Sequence, residues 1–432
     1  MKLKPEEIVY LSKACYGLID APRRWWKALV NDMQKLGWRS CRNEPCLMTW
    51  HHKGKLKGLM CFHVDDIMLS GDNRDTDWRK MLDKIKGLYD WGAWESGTFE
   101  QCGCRIQQTE TGSILVDQEE YARKITLIPL TQHRRRHMQA PLNAEERHLM
   151  VAKRGELNWL ATQTMIQALS SLSLLDTSME ATGESLRELN HLIRRAHAEA
   201  ADKLQYPVLV DPVFLTYADA AWANRKDMGS QCGYLVVGTE RALLQGRAAP
   251  CCPISWHSRR CPRVARSSGS AETQAATQAQ EEMEFIRLLW LEIEHGGYDA
   301  KCVDSEISKV TGALVIDAKG VYDAIRRSES AALSMQDKRS AVEGLALRES
   351  IARTRTELRW CHSEANVADA LTKQDTRAHE LLRKFLSSRT WRIVWDPDFT
   401  SSKKLKAQGA QRKEPHRPAS SSTNRLTGNV AE

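Results

Sequence analysis

Six acidic residues in this chain sit where their carboxylates could do chemistry together. Asp219 follows the apolar run Phe214–Ala218, within Tyr217-Ala218-Asp219-Ala220-Ala221-Trp222. Glu272 opens a long helical pattern, in Ser267-Ser268-Gly269-Ser270-Ala271-Glu272. Asp317 ends the run Leu314-Val315-Ile316, and Asp369 falls in the first turns of a final helix, in Asn366-Val367-Ala368-Asp369. Strand ends and helix starts can converge at one edge of a sheet. Four carboxylates gathered there repel one another unless cations neutralise them, and hard oxygen donors suit Mg²⁺ or Mn²⁺. Two such ions roughly 4 Å apart can activate a water and stabilise the leaving oxygen of a phosphodiester. Taken singly, each acid also reads as an ordinary helix-dipole partner, cap or turn residue. Asp65 and Asp66 differ, being an adjacent pair between the apolar runs Gly58–Val64 and Ile67–Ser70. Standing alone, such a pair usually marks a turn.

The elements that must position these residues are legible in the patterning. Trp25, Trp26, Leu29, Met33 and Leu36 follow a helical repeat that Gly37 ends. The two short runs flanking Asp65 and Asp66 predict a β-hairpin. Residues 78–130 read as mixed helix and strand, followed by the basic run Arg134–Arg136, and residues from Glu145 to Lys203 read as helix only. Beyond Pro212, strands are expected at Phe214–Ala218, Gly233–Val237 and Pro253–Ser258. A long helix follows, with Ala275, Ala279, Met283, Ile286, Trp290 and Ile293 along one stripe. A strand at Ala313–Ile316, helical stretches at Val321–Ile325 and 333–352, a strand at Glu357–His362 and a helix from Ala365 complete the unit. That order implies a mixed five-stranded sheet with helices packed on it, in a chain of α/β and α+β domains. The expected divisions are 1–140, a helical connection at 141–208, the sheet domain at 209–397 and a basic, disordered tail at 398–432.

Composition narrows the setting. The 432 residues are too many for one ordinary core, and a hydrophobic content of 42% supports globular folding. A net charge of +8 leans toward an acidic partner such as nucleic acid. The twelve cysteines are scattered, with no signal peptide before them, which favours a reduced, intracellular protein, cytoplasmic or nuclear. Cys251, Cys252, His257 and Cys261 come nearest to a zinc set, but adjacent cysteines replace a spaced clip poorly. No apolar run approaches the roughly 18 residues of a membrane span.

Five blocks of the second half, in order, resemble the ribonuclease H domain of copia-type retroelements. Residues 217–222 are similar to that family's Tyr-Ser-Asp-Ala-Asp-Trp, and Gly229-Ser230-Gln231-Cys232-Gly233-Tyr234 resembles its Ser-Thr-Ser-Gly-Tyr. Ile254-Ser255-Trp256-His257-Ser258-Arg259-Arg260 matches Ile-Ser-Trp-Ser-Ser-Lys-Lys, and Ser267 to Glu272 resembles Ser-Ser-Thr-Glu-Ala-Glu. Ala368-Asp369-Ala370-Leu371-Thr372-Lys373 is similar to Ala-Asp-Ile-Leu-Thr-Lys. The resemblance implies that Asp219, Glu272, Asp317 and Asp369 ligate two Mg²⁺ (or Mn²⁺) ions and that the substrate is RNA in an RNA–DNA hybrid. It also implies that His362 stands where some ribonucleases H use a histidine to help product leave; an ordinary end-of-strand histidine is the other reading. The stretch His295–Thr311 is longer than in the family, and Thr273-Gln274 replaces its usual Tyr.

The first half resembles the reverse transcriptase of the same elements. Residues 11–25, Leu-Ser-Lys-Ala-Cys-Tyr-Gly-Leu-Ile-Asp-Ala-Pro-Arg-Arg-Trp, are similar to Leu-x-Lys-Ala-Leu-Tyr-Gly-Leu-Lys-Gln-Ala-Pro-Arg-x-Trp. Asn43-Glu44-Pro45-Cys46-Leu47 resembles Ser-Asp-Pro-Cys-Leu, and Phe62-His63-Val64-Asp65-Asp66 resembles the Tyr-Val-Asp-Asp hairpin of the palm. The resemblance implies that Asp65 and Asp66 are catalytic metal ligands. The family's further aspartate lies before the Tyr-Gly-Leu block, and none precedes Leu11 here. The expectation is therefore a truncated palm and thumb with no unaided polymerase activity. Met165-Ile166 also replaces the family's Arg-Pro-Asp. Nucleic acid would be gripped through its phosphates, with Arg23, Arg24, Arg259, Arg260, Arg263 and Arg266 as candidate contacts. A remnant without activity, binding nucleic acid at most, is the alternative.

Overall fold

The computed structural model describes residues 17–326 and 338–393. Leu11–Tyr16 of the first block, residues 333–337 of an expected helical stretch and the basic tail lie outside the described residues. The protein is of mixed α/β construction, with three sheets among the described residues.

The first sheet is antiparallel, in the order β1 (Arg39–Ser40), β2 (Leu47–His52), β3 (Lys55–His63), β4 (Asp66–Gly71). Two helices, Ala21–Lys35 and Thr76–Lys86, lay their apolar faces on it. Leu29, Val30 and Met33 from one and Trp78, Met81 and Ile85 from the other bury against Trp38, Met48, Trp50, Met60 and Phe62. Gly37, at φ +93, reverses the chain after the first helix as its sequence position predicts. The hairpin also forms, but its turn lies at Val64 and Asp65, and Asp66 already pairs with His63 as the first residue of β4. Val64 takes φ +57, a costly value for a β-branched residue, and its carbonyl accepts a 2.7 Å bond from the Trp25 indole.

The second sheet, in the order β5 (Thr98–Gln101), β6 (Cys104–Gln108), β7 (Ile114–Asp117), β8 (Leu204–Tyr206), is antiparallel too. The helices Ala144–Gln163, Leu169–Leu174 and Gly183–Ala198 fill the interval before β8. The first of them starts at a full capping box, Asn143 with Glu146.

The third sheet comprises β9 (Pro212–Ala221), β10 (Gln231–Glu240), β11 (Cys251–Arg260), β12 (Gly312–Ile316) and β13 (Glu357–Trp360). Its order is β11-β10-β9-β12-β13. The first three strands form an antiparallel meander, while β12 runs parallel to β9 and β13 parallel to β12. Both faces are covered, so β9 is buried at eight consecutive positions rather than alternately. Ala218, Leu314 and Ile316 pack beneath the helices Ser268–His295, Lys319–Arg326 and Lys338–Arg353. Val213, Leu215, Tyr217, Leu235 and Val315 face the other way, into a core shared with Leu157, Leu160, Leu186 and Leu189. The stretch expected as a connection thus supplies the helical layer on one face of this sheet.

The long helix also reaches the first sheet. Near its C-terminus the Glu292 carboxylate accepts from the backbone amides of Arg42 and Asn43 at 2.7 and 3.1 Å. Arg287, fully buried in the same helix, is ringed by acceptors. It donates to the carbonyls of Val310, Ile307 and Thr354 and to the Thr356 hydroxyl, at 2.8–3.0 Å. These bonds tie the helix to the segments that begin β12 and β13.

Candidate metal centre

The carboxylates meet because two strands run parallel. Register pairs Tyr217 of β9 with Val315 of β12, so the next residues along both strands lie at one end of the sheet. Asp219 lies there, inside β9 rather than at its end, because the strand runs three residues past the apolar run Phe214–Ala218. Asp317 follows Ile316 immediately, and its carbonyl accepts from the Trp360 indole at 3.0 Å.

Asp369 arrives from a different direction than its sequence suggests. It does not open the last helix. That helix is Thr376–Ser387, and Asp369 lies in a separate 3₁₀ turn, Val367–Leu371. Asn366 is the reason: its side-chain oxygen caps the turn at the Ala368 amide, and its Nδ2 donates to the buried Ala218 carbonyl at 2.9 Å. The turn is thereby stapled to β9 beside Asp219. Gly233, which pairs with Asp219 across β9 and β10, makes room for it. A Cβ at that position would stand 2.6 Å from Leu371 Cβ. Thr372 then donates its hydroxyl to Asp219 Oδ2.

Oxygens of Asp219, Asp317 and Asp369 all lie within 4.8 Å of one another, the sole such triplet of possible ligands among the described residues. Glu272 is outside that triplet. It sits one turn into the long helix rather than opening it, since Ser267 is the cap and accepts from the Ser270 amide. The triplet's charge nevertheless reaches it. Burial, followed by Asp219 and Asp317, pushes the Glu272 carboxyl well above its usual range. Burial and the Asp219 charge push Asp317 up to about 6 and Asp369 up to about 8. Such shifts mark carboxylates crowded together with too little positive charge.

Lys373 supplies part of that charge. Its ammonium is 2.9 Å from Asp369 Oδ1 and 3.5 Å from Asp219 Oδ2. Burial opposes the lysine's charge, yet Asp219 and Asp369 hold its pKa above the ordinary value. Thr372 and Lys373 were not singled out as site residues from sequence, although they follow Asp369 by the three and four residues that one helical turn spans. One lysine does not balance four carboxylates. Asp317 Oδ1 is buried without a hydrogen-bond partner, an all-oxygen donor set surrounds it, and the residues present therefore fit a hard divalent cation.

The remaining candidates stand apart. His362 caps the short turn Ser363–Ala365, its Nδ1 accepting from the Glu364 amide at 3.2 Å, and burial lowers its pKa. Asp65 and Asp66 are exposed at the hairpin and border a cavity of about 410 Å³ lined also by Trp91, Trp94, Phe99 and Glu100. Arg24 pairs with Asp20 at 2.6 Å, and Arg23 is exposed on the first turn of its helix. Arg259 donates to Gln278, Arg260 pairs with Asp227 at 2.9 Å, and Arg263 pairs with Glu343.

The reading of uniformly reduced cysteines is corrected by a disulfide between Cys232 and Cys261. Twenty-nine residues separate the two, and only the β10–β11 pairing, which brings Gln231 opposite Arg260, places them together. It also removes Cys261 from any zinc set with Cys251 and Cys252, which as consecutive residues of β11 point to opposite faces.

A mixed α/β protein with a partly buried acidic centre at the end of parallel strands is what fold and site define. No family model matches the chain. Over 312 residues it is 24% identical to the retrovirus-related Pol polyprotein from transposon RE1 of Arabidopsis thaliana, covering 68% of this chain and 20% of that protein. Over 310 residues it is 24% identical to the corresponding polyprotein from transposon TNT 1-94 of Nicotiana tabacum, covering 66% of this chain and 22% of that one. The chain is similar to Pol polyproteins of copia-type transposons over two-thirds of its length, which shows the resemblance read from its motifs. It spans about a fifth of the length of these relatives. Among solved structures, a foamy viral protease-reverse transcriptase in complex with RNA/DNA hybrid matches at TM-score 0.24 and 11% identity, covering 83% of this chain and 62% of that one. No helix among the described residues is long and apolar enough to cross a membrane.

Proposed function

We propose that the chain is a metal-dependent phosphodiester hydrolase of the ribonuclease H type, cutting RNA in RNA–DNA hybrids, set in a fragment of reverse-transcriptase ancestry. The observation that carries this reading is the convergence of Asp219, Asp317 and Asp369, with Glu272 in their field, on the end of the sheet ordered β11-β10-β9-β12-β13. Asp219, Glu272, Asp317 and Asp369 would hold Mg²⁺ or Mn²⁺, which supplies activation of water and stabilisation of the leaving oxygen.

The chain's own residues prepare that site. Asn366 and Gly233 set the Asp369 turn against β9, and the Thr372 hydroxyl fixes one oxygen of Asp219. The Lys373 ammonium bridges Asp219 and Asp369 and so helps to hold them side by side. His362 accepts at Nδ1, so a neutral ring carries its proton on Nε2, suited to proton exchange with the product phosphate. Arg259, Arg260 and Arg263 would exchange their present partners for backbone phosphates, as would Arg24, beside the exposed Arg23, on a hybrid long enough to reach the first sheet. We assign no polymerase step to Asp65 and Asp66, which join no triplet of possible ligands among the described residues.

The test is cleavage of a labelled RNA–DNA hybrid by the purified chain with Mg²⁺, beside Asp317→Asn and Asp65→Asn. Cleavage lost in the first variant and kept in the second supports the reading. A folded protein that leaves the hybrid intact, or an Asp317→Asn variant that cuts equally well, overturns it.

A further inference from the structure

Trp222 is the first residue beyond β9, three positions past Asp219, or about 10 Å at the rise of a strand. Its indole N–H donates to the Ala265 carbonyl at 3.0 Å, while half of its surface, 50%, stays exposed. A lone exposed aromatic residue is unremarkable. This one has its N–H engaged by the Ala265 carbonyl and half of its surface in solvent, at the carboxylate end of the sheet.

Its surroundings share that end. Ala221 pairs with Gln231 and Gln231 with Arg260, so the loops 222–230 and 261–267 leave the sheet side by side. They carry two more exposed apolar side chains, Met228 at 74% and Val264 at 84%. Arg260 and Arg263 flank them with more than half of each side chain in solvent. An apolar surface set among guanidinium groups suits a nucleic-acid strand, whose sugars and bases pack on the ring while its phosphates meet the arginines. Because the indole is already pinned, little side-chain entropy is lost when a strand lands on it.

We infer that Trp222 is a substrate-packing residue, a fixed aromatic platform for the hybrid strand next to the scissile phosphate; this rests on the hydrolase reading above. Its contribution goes to binding and not to the chemical step, since the ring reaches no carboxylate of the centre through any hydrogen bond of its own.

The experiment measures binding of a fluorescent RNA–DNA hybrid by anisotropy in the uncleaving Asp317→Asn background, and KM and kcat in the otherwise wild-type chain. Three substitutions are compared: Trp222→Ala, Trp222→Leu and Trp222→Phe. Packing on the strand predicts roughly tenfold weaker binding and a matching rise in KM for Ala and Leu, with kcat within about threefold. Phe keeps a ring and loses only the bond to Ala265, so it should bind within about threefold of the parent. The Leu variant keeps the bulk beside the loop and carries the test if Ala does not fold. Parent-like binding by Ala or Leu overturns the inference. So does a Phe variant as weak as Leu with a lowered kcat, which would make Trp222 only a loop support. If the parent itself binds no hybrid, the hydrolase reading falls and this inference with it.

Discussion

Replacing Gly233 with alanine should pull the carboxylate centre apart without touching a carboxylate. The new Cβ would stand 2.6 Å from Leu371 Cβ, 3.0 Å from Thr372 Cγ2 and 3.2 Å from the Leu371 carbonyl carbon. Carbon atoms settle at about 3.5–4.0 Å, so the 3₁₀ turn must retreat by about 1 Å. Two of the three contacts involve Leu371, whose Cβ and backbone cannot swing aside as the end of a flexible side chain would. Overpacking of this kind costs about 1–3 kcal/mol, and the stiffer unfolded chain offsets about 0.4–1 kcal/mol of it. Most of the protein should therefore remain folded. The effect on chemistry is larger, because the retreating turn carries Asp369 away from Asp219 and loosens the Thr372 hydroxyl bond. A misplacement of about 1 Å can lower a rate about a hundredfold. Single-turnover cleavage of a hybrid, with urea unfolding run in parallel, reads both quantities. Cleavage within about threefold of the parent, in a variant of unchanged stability, would show that the turn does not depend on the space at Gly233 and would refute the reasoning.

Two further outcomes follow from the same geometry. Asp317 and Asp369 have folded pKa values pushed up to about 6 and about 8, above the ordinary 3.8, so the folded metal-free protein binds more protons than the unfolded chain. Their contribution is complete below about pH 4, is lost progressively as pH rises from there through the folded values of about 6 and about 8, and does not change further above them. The melting temperature in chelator should fall across that window and recover at about pH 8 on adding Mg²⁺; a flat profile that ignores Mg²⁺ would contradict the crowded-carboxylate account. Arg287→Leu strands the carbonyls of Ile307, Val310 and Thr354 in the interior and should cost about 3–5 kcal/mol. An unshifted urea midpoint would count against that role.

The chemistry-bearing residues were legible because their local signals are strong. Long apolar runs with β-branched and aromatic residues announced β9 and β12, and a 3.6-residue stripe announced the helix Ser268–His295. The Asp65–Asp66 hairpin formed where two apolar runs flank an acidic pair, with its turn displaced by one residue. Asp369 was harder to place, since Asn366, Val367 and Ala368 read locally as the start of a helix. The competing hydrogen bond from Asn366 to Ala218, 148 residues away, decides otherwise. The same holds for the arginines, whose partners Asp227, Gln278 and Glu343 come from other elements.

By itself, then, the sequence determined which residues could ligate a cation, the order of the elements that bear them, and the similarity to Pol polyproteins. These depend on residue type and near-neighbour spacing, which the chain carries wherever it is read. Only the tertiary structure decided that oxygens of Asp219, Asp317 and Asp369 lie within 4.8 Å of one another while Glu272 is not part of that triplet, and that Lys373 enters the centre. It alone paired Cys232 with Cys261 and turned the helices between residues 144 and 198 into a layer over the sheet. The physical reason is common to all of these: each is a contact between segments far apart in the chain. Strand register, the space left by a missing side chain and buried hydrogen bonds set such contacts, and no local pattern encodes them.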